Sequence, residues 1–380
     1  MHKTLADQIE ATGGRSSGFD YMRIVLALAV VCWHSVATCY GHEAQFVILS
    51  GPFRSVVAII LPMFFALSGF LVAGSLERTK TLVMFLGLRA IRIFPALGVE
   101  VILSALILGP LLTSYALGAY VTDPLFLRYF RNLIGDIRYY LPGVFENNPN
   151  PGVVNGQLWT VPFELECYIL LSMFAAMGVV RRRLTIVFGI AVTAGVLIVH
   201  QFIQDGGAIE RNSGPIYGKC LVLCFLAGAM IYLYREKIRF SLGLCAVSAV
   251  AAVALIHIPY GDYFLPVPVA YLTVYLGLLN PRKVGFLSGA DYSYGVFLYS
   301  YVIQQAVMSA APWAREWYWN ILICVPLSIV FAAASWHLVE KPALGWRVHL
   351  KTLEEVWISI KAKAPPLQAF SNWARGVKAT

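Results

Sequence analysis

The sequence predicts an all-α polytopic membrane protein of about ten transmembrane helices, with the N- and C-termini cytoplasmic, and three observations carry this. Of 380 residues, 59% are hydrophobic and 13% charged, with a mean hydropathy of +0.70, whereas soluble domains are roughly one-quarter charged. Apolar stretches near the length that crosses about 30 Å of hydrocarbon run roughly through 21–40, 55–76, 95–113, 157–179, 184–203, 217–234, 241–258, 262–280, 290–311 and 317–339. If the N-terminus is cytoplasmic, 21 of the 29 Lys and Arg residues fall at the termini and in the even-numbered connections, six in the other connections, Arg23 inside span 1 and Lys219 at the edge of span 6. That asymmetry follows the positive-inside rule, and an even span count agrees with it.

Residues 1–20 are polar and form a cytoplasmic N-terminal segment. The apolar stretch after them is too long, and lacks the small-residue cleavage site, of a removable signal peptide. The first span is therefore expected to stay in the protein. Residues 21–342 form the ten-span membrane domain, which contains two connections longer than a turn. Residues 79–94, KTLVMFLGLRAIRIFP with Pro95 closing the run, read as a cytoplasmic interfacial helix bearing Arg89 and Arg92. Residues 114–156 read as an external loop with Arg128, Arg131 and Arg138 among aromatics, ending in the turn-rich ENNPNPGVVNG. A loop of that length is often functional, here as a substrate platform. Residues 343–380 form a basic cytoplasmic tail lying on the membrane.

A net charge of +9 would suggest nucleic acid for a soluble chain. Here the basic residues are spread over short loops between spans, so no nucleic-acid partner is expected. Cysteines at 32, 39, 167, 220, 224, 245 and 324 fall almost entirely in apolar spans, where thiols behave as small apolar side chains. There is no CxxC, and Cys220 with Cys224 is only an i, i+4 pair, so no metal site is expected.

Ionisable groups inside hydrocarbon are costly, and each is a functional candidate. Arg23 and His34 in YMRIVLALAVVCWHS are eleven residues apart, which returns to within about 20° on a helix and separates them by roughly 16 Å along its axis. Arg23 then sits near the cytoplasmic entrance and His34 deeper, toward the external half. Glu164 in QLWTVPFELECYILL falls roughly 10 Å below the external surface, a depth similar to that of His34. A base and its orienting carboxylate would share such a level. Glu100 is expected as a counter-ion of Arg23 or of the interfacial arginines. Glu166 points about 200° from Glu164 and is not expected in the chemistry. His42, His200 and His257 are read as interfacial.

These positions bring a family into view. Arg23 with ten residues before His34 is similar to the signature pair of the membrane-bound acyltransferase family 3. Ser68, Gly69 and Phe70 in PMFFALSGF resemble its second-span segment, and Arg89, Arg92 and Pro95 its Arg-x-x-Arg followed by Pro. Trp159, Glu164 and Tyr168 resemble a further pattern. YSYGVFLY at 292–299 looks like its ninth-span segment, and Trp336 with Glu340, Lys341 and Pro342 like its closing motif. One departure is Ser300, where many members carry a His. The resemblance implies acyl transfer from cytoplasmic acyl-CoA, usually acetyl-CoA, to a hydroxyl of a glycan or lipid-linked glycan at the outer face of the bacterial inner membrane, with no permanently bound cofactor.

In that expectation His34 is the general base and Glu164 its orienter. Arg23, Arg89 and Arg92 hold the phosphates of the acyl-CoA, since guanidinium groups bind phosphate bidentately. Trp159 and Tyr168 stack on the acceptor sugar. Ser68 is read as a packing residue, and Glu340 with Lys341 chiefly as the end of a helix before Pro342, the alternative being a pairing with the basic cluster. The rival reading is a secondary transporter of a lipid-linked or small acidic solute, which would favour inverted repeats and paired interrupted helices. The sequence contains neither.

Overall fold

A computed structural model describes residues 3–14, 16–178, 183–204, 206, 216–285 and 290–363. Arg181, Arg182 and the tail beyond residue 363 lie outside them. Among the described residues all regular structure is helical, with only isolated bridges such as Thr4 to Arg239 and Tyr140 to Val153. The order is α1 (Leu5–Ala11), α2 (Ser17–Tyr40), α3 (His42–Ser50), α4 (Arg54–Val57), α5 (Ile60–Arg78), α6 (Leu82–Leu103), α7 (Gly109–Leu112), α8 (Leu117–Thr122) and α9 (Pro124–Tyr129). After the long loop come α10 (Val161–Ala176), α11 (Arg183–Gln204), α12 (Gly218–Leu233), α13 (Leu242–Ile256), α14 (Pro266–Leu278), α15 (Ser293–Ala310), α16 (Trp317–Ser335), α17 (Lys341–Gly345) and α18 (Arg347–Lys363).

Six continuous helical segments among the described residues are long and apolar enough to cross a membrane: Ser17–Tyr40, Arg54–Arg78, Leu82–Leu112, Gly156–Ala176, Ile186–Gln204 and Trp317–Val356. Three shorter apolar helices, α12, α13 and α14, cover further expected spans. The ninth stretch is the helix α15, whose paired Gln304 and Gln305 dilute its apolar character.

The central element is α12. From Cys220 to Ala229 every side chain on it is buried, as expected of a helix that is apolar all round and surrounded by protein. It crosses α5 at Gly69 and Gly228. A Cβ on Gly69 would meet the Phe225 carbonyl oxygen at 1.9 Å, and one on Gly228 the Ala66 carbonyl oxygen at 2.0 Å. Small residues are what allow two backbones to approach this closely. By contrast α11 exposes Phe188, Val196 and Ile203, the surface of a helix facing lipid.

Pro95 does not close an interfacial helix. Residues 82–103 are one continuous helix with Pro95 inside it, and a π turn at Ser104–Leu108 carries it on into α7. Pro95 removes one backbone donor, yet the flanking turns remain helical, so Arg89 and Arg92 ride on the same rod as Glu100. The expected stop before Pro342 is also absent. A π turn at Trp336–Glu340 joins α16 to α17, with Pro342 in the first turn of α17, where its missing donor costs nothing.

The chain's described ends meet at one end of the bundle. Leu5 N–H donates to the Ile238 carbonyl at 2.9 Å, beside the α12–α13 turn. Arg235 pairs with Glu77 at the end of α5 at 3.1 Å. The Thr81 hydroxyl donates to Glu354 on α18 at 2.7 Å. The long loop covers the opposite end. Two side chains of α15 and the loop hold it there: Gln305 Nε2 donates to the Asn150 and Val153 carbonyls, both at 2.7 Å, and Asn148 Nδ2 donates to the Gln305 carbonyl at 2.8 Å.

Candidate functional site

The sequence-derived candidates divide between two cavities. The smaller, about 130 Å³, lies toward the end that holds the termini and is lined by Arg23, Arg89, Arg92, Glu164, Tyr168 and Ser68. The arginines come from α2 and from one face of α6, where a spacing of three residues keeps Arg89 and Arg92 adjacent. Arg23 Nη1 and Arg92 Nη2 both donate to Asp291 Oδ2, at 2.9 and 2.6 Å. Arg92 Nη1 also reaches Glu340 at 3.5 Å, a side chain delivered by the π turn after α16 and bonded by the Ser335 hydroxyl at 3.1 Å. Single π turns often occur at functional sites.

Arg89 differs from its neighbours. One nitrogen donates to the Ser75 hydroxyl at 3.1 Å, while its Nε is buried with no hydrogen-bond partner. Its guanidinium carbon lies 5.9 Å from the ring centres of Phe85 and Tyr168. No carboxylate pairs with it among the described residues. It therefore retains donor capacity for an incoming anion.

The larger cavity, about 900 Å³, lies beneath the long loop and is lined by His34, His42, Gln45, Tyr139, Trp159 and Tyr301 among aliphatic side chains. The His34 ring stands edge-on to Tyr301, with centroids 5.1 Å apart, and its Nδ1 is buried without a hydrogen-bond partner. Asn150 of the loop bonds the Tyr301 hydroxyl. His42, read as interfacial, opens α3 and faces this cavity.

Four expectations change. No hydrogen bond joins Glu164 to His34: Glu164 accepts from the Tyr168 hydroxyl and lines the arginine cavity instead. Tyr168, expected beside Trp159, lies with the arginines, whereas Trp159 lines the large cavity. Glu100 pairs with no arginine among the described residues. Its Oε1 accepts from the Ser104 hydroxyl and from Asn155 Nδ2, both at 2.7 Å, beside the π turn of α6. Glu340, read chiefly as a helix end with pairing to the basic cluster as the alternative, is an ion-pair partner of Arg92. Glu166 does face away, pairing with Lys219 at 2.7 Å.

Asp291, which the sequence reading passed over, is the hub of the arginine cluster. A signal was present: it is the only acidic residue between Asp262 and Glu316, and it directly precedes the YSYGVFLY segment.

Comparison with known proteins adds a family. A family described as an acyltransferase domain matches residues 16–338. Among curated proteins, the chain is similar to an O-acetyl transferase of Shigella phage Sf6, 26% identical over 350 residues covering 86% of this chain and 96% of the relative. It is also similar to nodulation protein 10 of Rhizobium leguminosarum bv. viciae, 24% identical over 370 residues covering 90% and 96%. No solved structure matches.

Proposed function

We infer, from the premise that the chain belongs to acyltransferase family 3, that it transfers an acyl group, acetyl, from cytoplasmic acetyl-CoA to a hydroxyl of a glycan across the bacterial inner membrane. The observation that supports this most is the division of one helix face between two cavities. Arg23 and His34, roughly 16 Å apart along α2, line the arginine cavity and the large cavity respectively. In this reading the arginine end is cytoplasmic and receives the acyl-CoA, with Arg89 the principal phosphate ligand. Arg23 and Arg92 are shared with Asp291, which spaces the guanidinium groups and holds them ready.

The acceptor, a surface glycan or a lipid-linked oligosaccharide, enters the large cavity from the loop end and rests against Trp159. His34 takes the proton from the sugar hydroxyl as its oxygen attacks the thioester carbonyl. The C–O bond forms, the C–S bond breaks, and the imidazolium returns the proton to the departing CoA thiolate. Such general-base assistance contributes about 10²–10⁴-fold. Glu164 with Tyr168 acts at the donor side, where its carboxylate and the Arg89 guanidinium flank the same ring. No resident cofactor or metal takes part.

The test is the O-acyl ester content of the host's surface and lipid-linked glycans in the wild type, a deletion strain, and a deletion carrying His34→Ala at matched membrane abundance. Loss of one ester in both mutants is the expected result. Full ester with His34→Ala would sink the general-base assignment, and unchanged ester in the deletion would remove acyl transfer itself.

A further inference from the structure

Leu61, Thr160 and Phe297 line both cavities. They arrive from three separate elements: the first turn of α5, the residue before α10, and the second turn of α15. Thr160 is buried, and Leu61 and Phe297 pack half-buried against the same apolar core. The Thr160 hydroxyl lies 3.5 Å from the Gln157 carbonyl on its own chain segment. Wherever the two cavities communicate, these three side chains are the shared wall.

The geometry points to a neck at Leu61, Thr160 and Phe297 that selects the acyl group, admitting small, uncharged, unbranched acyl chains and rejecting branched or carboxylated ones. The inference rests on the acyl-CoA reading above. An acyl-CoA held at the arginines leads with its acyl group, which must pass the neck before the carbonyl reaches the cavity of His34. Two of the three walls are apolar, and the third offers a single hydroxyl. A carboxylate carried through would lose its water with no cation among these three side chains to replace it, which disfavours its passage. Arg89, which has no carboxylate partner among the described residues, lies on the donor side, so a succinyl carboxylate is held back rather than drawn forward. A branched acyl chain is wider than a straight one and meets the Phe297 ring and the Leu61 side chain together as it passes.

The experiment uses membrane vesicles from the host deletion strain expressing the full chain, supplied in parallel with acetyl-, propionyl-, isobutyryl- and succinyl-CoA. Esters on the vesicles' own glycans are read by mass spectrometry. Wild type is expected to transfer acetyl and propionyl groups, with isobutyryl and succinyl at least about tenfold slower, the discrimination that one or two misplaced carbons give in an apolar site. Phe297→Ala and Leu61→Ala are expected to raise the isobutyryl-to-acetyl ratio at least about tenfold while succinyl stays excluded. Because each ratio is taken within one preparation, a variant of lower abundance still reports, and the two variants test the neck from different helices. Comparable transfer of all four groups by wild type, or an unchanged ratio in both variants, overturns the neck and leaves acyl transfer standing. Absence of ester from every donor in wild type overturns the acyl-CoA reading and the neck with it.

Discussion

His34 forms no hydrogen bond through its buried Nδ1 and meets the Tyr301 ring edge-on, so replacing the ring costs that one packing contact and no hydrogen bond at Nδ1. His34→Gln is expected to lower turnover by about 10²–10⁴-fold with an unfolding midpoint in detergent close to wild type; a parallel loss of both would assign the residue to structure instead. Arg89 and Arg92 make a sharper contrast. Arg89 has no acidic partner among the described residues, and Arg89→Lys should raise the KM for acetyl-CoA about tenfold, the loss of one charge-assisted hydrogen bond, with folding intact. Arg92 joins Asp291 to Glu340, a link that needs two nitrogens of one planar fork. Arg92→Lys should destabilise the protein by about 1–3 kcal/mol, less than a fully buried pair because Arg92 and Asp291 keep some solvent contact. Thermal unfolding of the purified variants separates the two cases.

At the level of elements, α5 and α12 are held at backbone contact by Gly69 and Gly228. Gly228→Ala places a methyl group against the Ala66 carbonyl with no flexible side chain to yield, and the helices must separate. A loss of about 2 kcal/mol or more is expected, read as reduced membrane abundance and a lower unfolding midpoint. The π turn of α6 gives a subtler test. Glu100 needs only one oxygen to accept from Ser104 and Asn155, its Oε2 having no partner. Glu100→Gln keeps that acceptor and should cost under about 1 kcal/mol, whereas Glu100→Ala strands two buried donors and should cost about 1–3 kcal/mol. Equal losses in the two variants would show that the charge, rather than the hydrogen bonding, is what the site requires.

Across the whole molecule, α1 and α18 are both tied to the end of the bundle formed by the α5–α6 and α12–α13 turns. Reporter fusions before residue 3 and after residue 363 are therefore expected on the same side of the membrane. The basic connections predict that side to be the cytoplasm. A periplasmic signal from either fusion would reverse the assignment of donor and acceptor cavities. The opposite end owes its shape to Gln305 and Asn148, which hold the long loop over the large cavity. Gln305 and its neighbour Gln304 dilute the apolar character of α15, so one of the side chains that weaken the hydropathy signal, Gln305, is also the one that holds the loop.

The sequence by itself determined the membrane class and the shared face of Arg23 and His34. Each depends only on composition or on the period of a single helix, which neighbouring elements do not alter. The sequence also singled out the arginines of α6, although Pro95 suggested a break where the helix continues. Only the tertiary structure decided that Glu164 and Tyr168 join the arginines rather than His34, that Asp291 and Glu340 complete that cluster, and that Glu100 bonds the loop through Asn155. Depth along a span can be counted in residues. Which side chains meet across helices depends on the rotation and crossing of each helix, and these are set by packing contacts such as Gly69 against Phe225 and by π turns that shift a helix's register partway along.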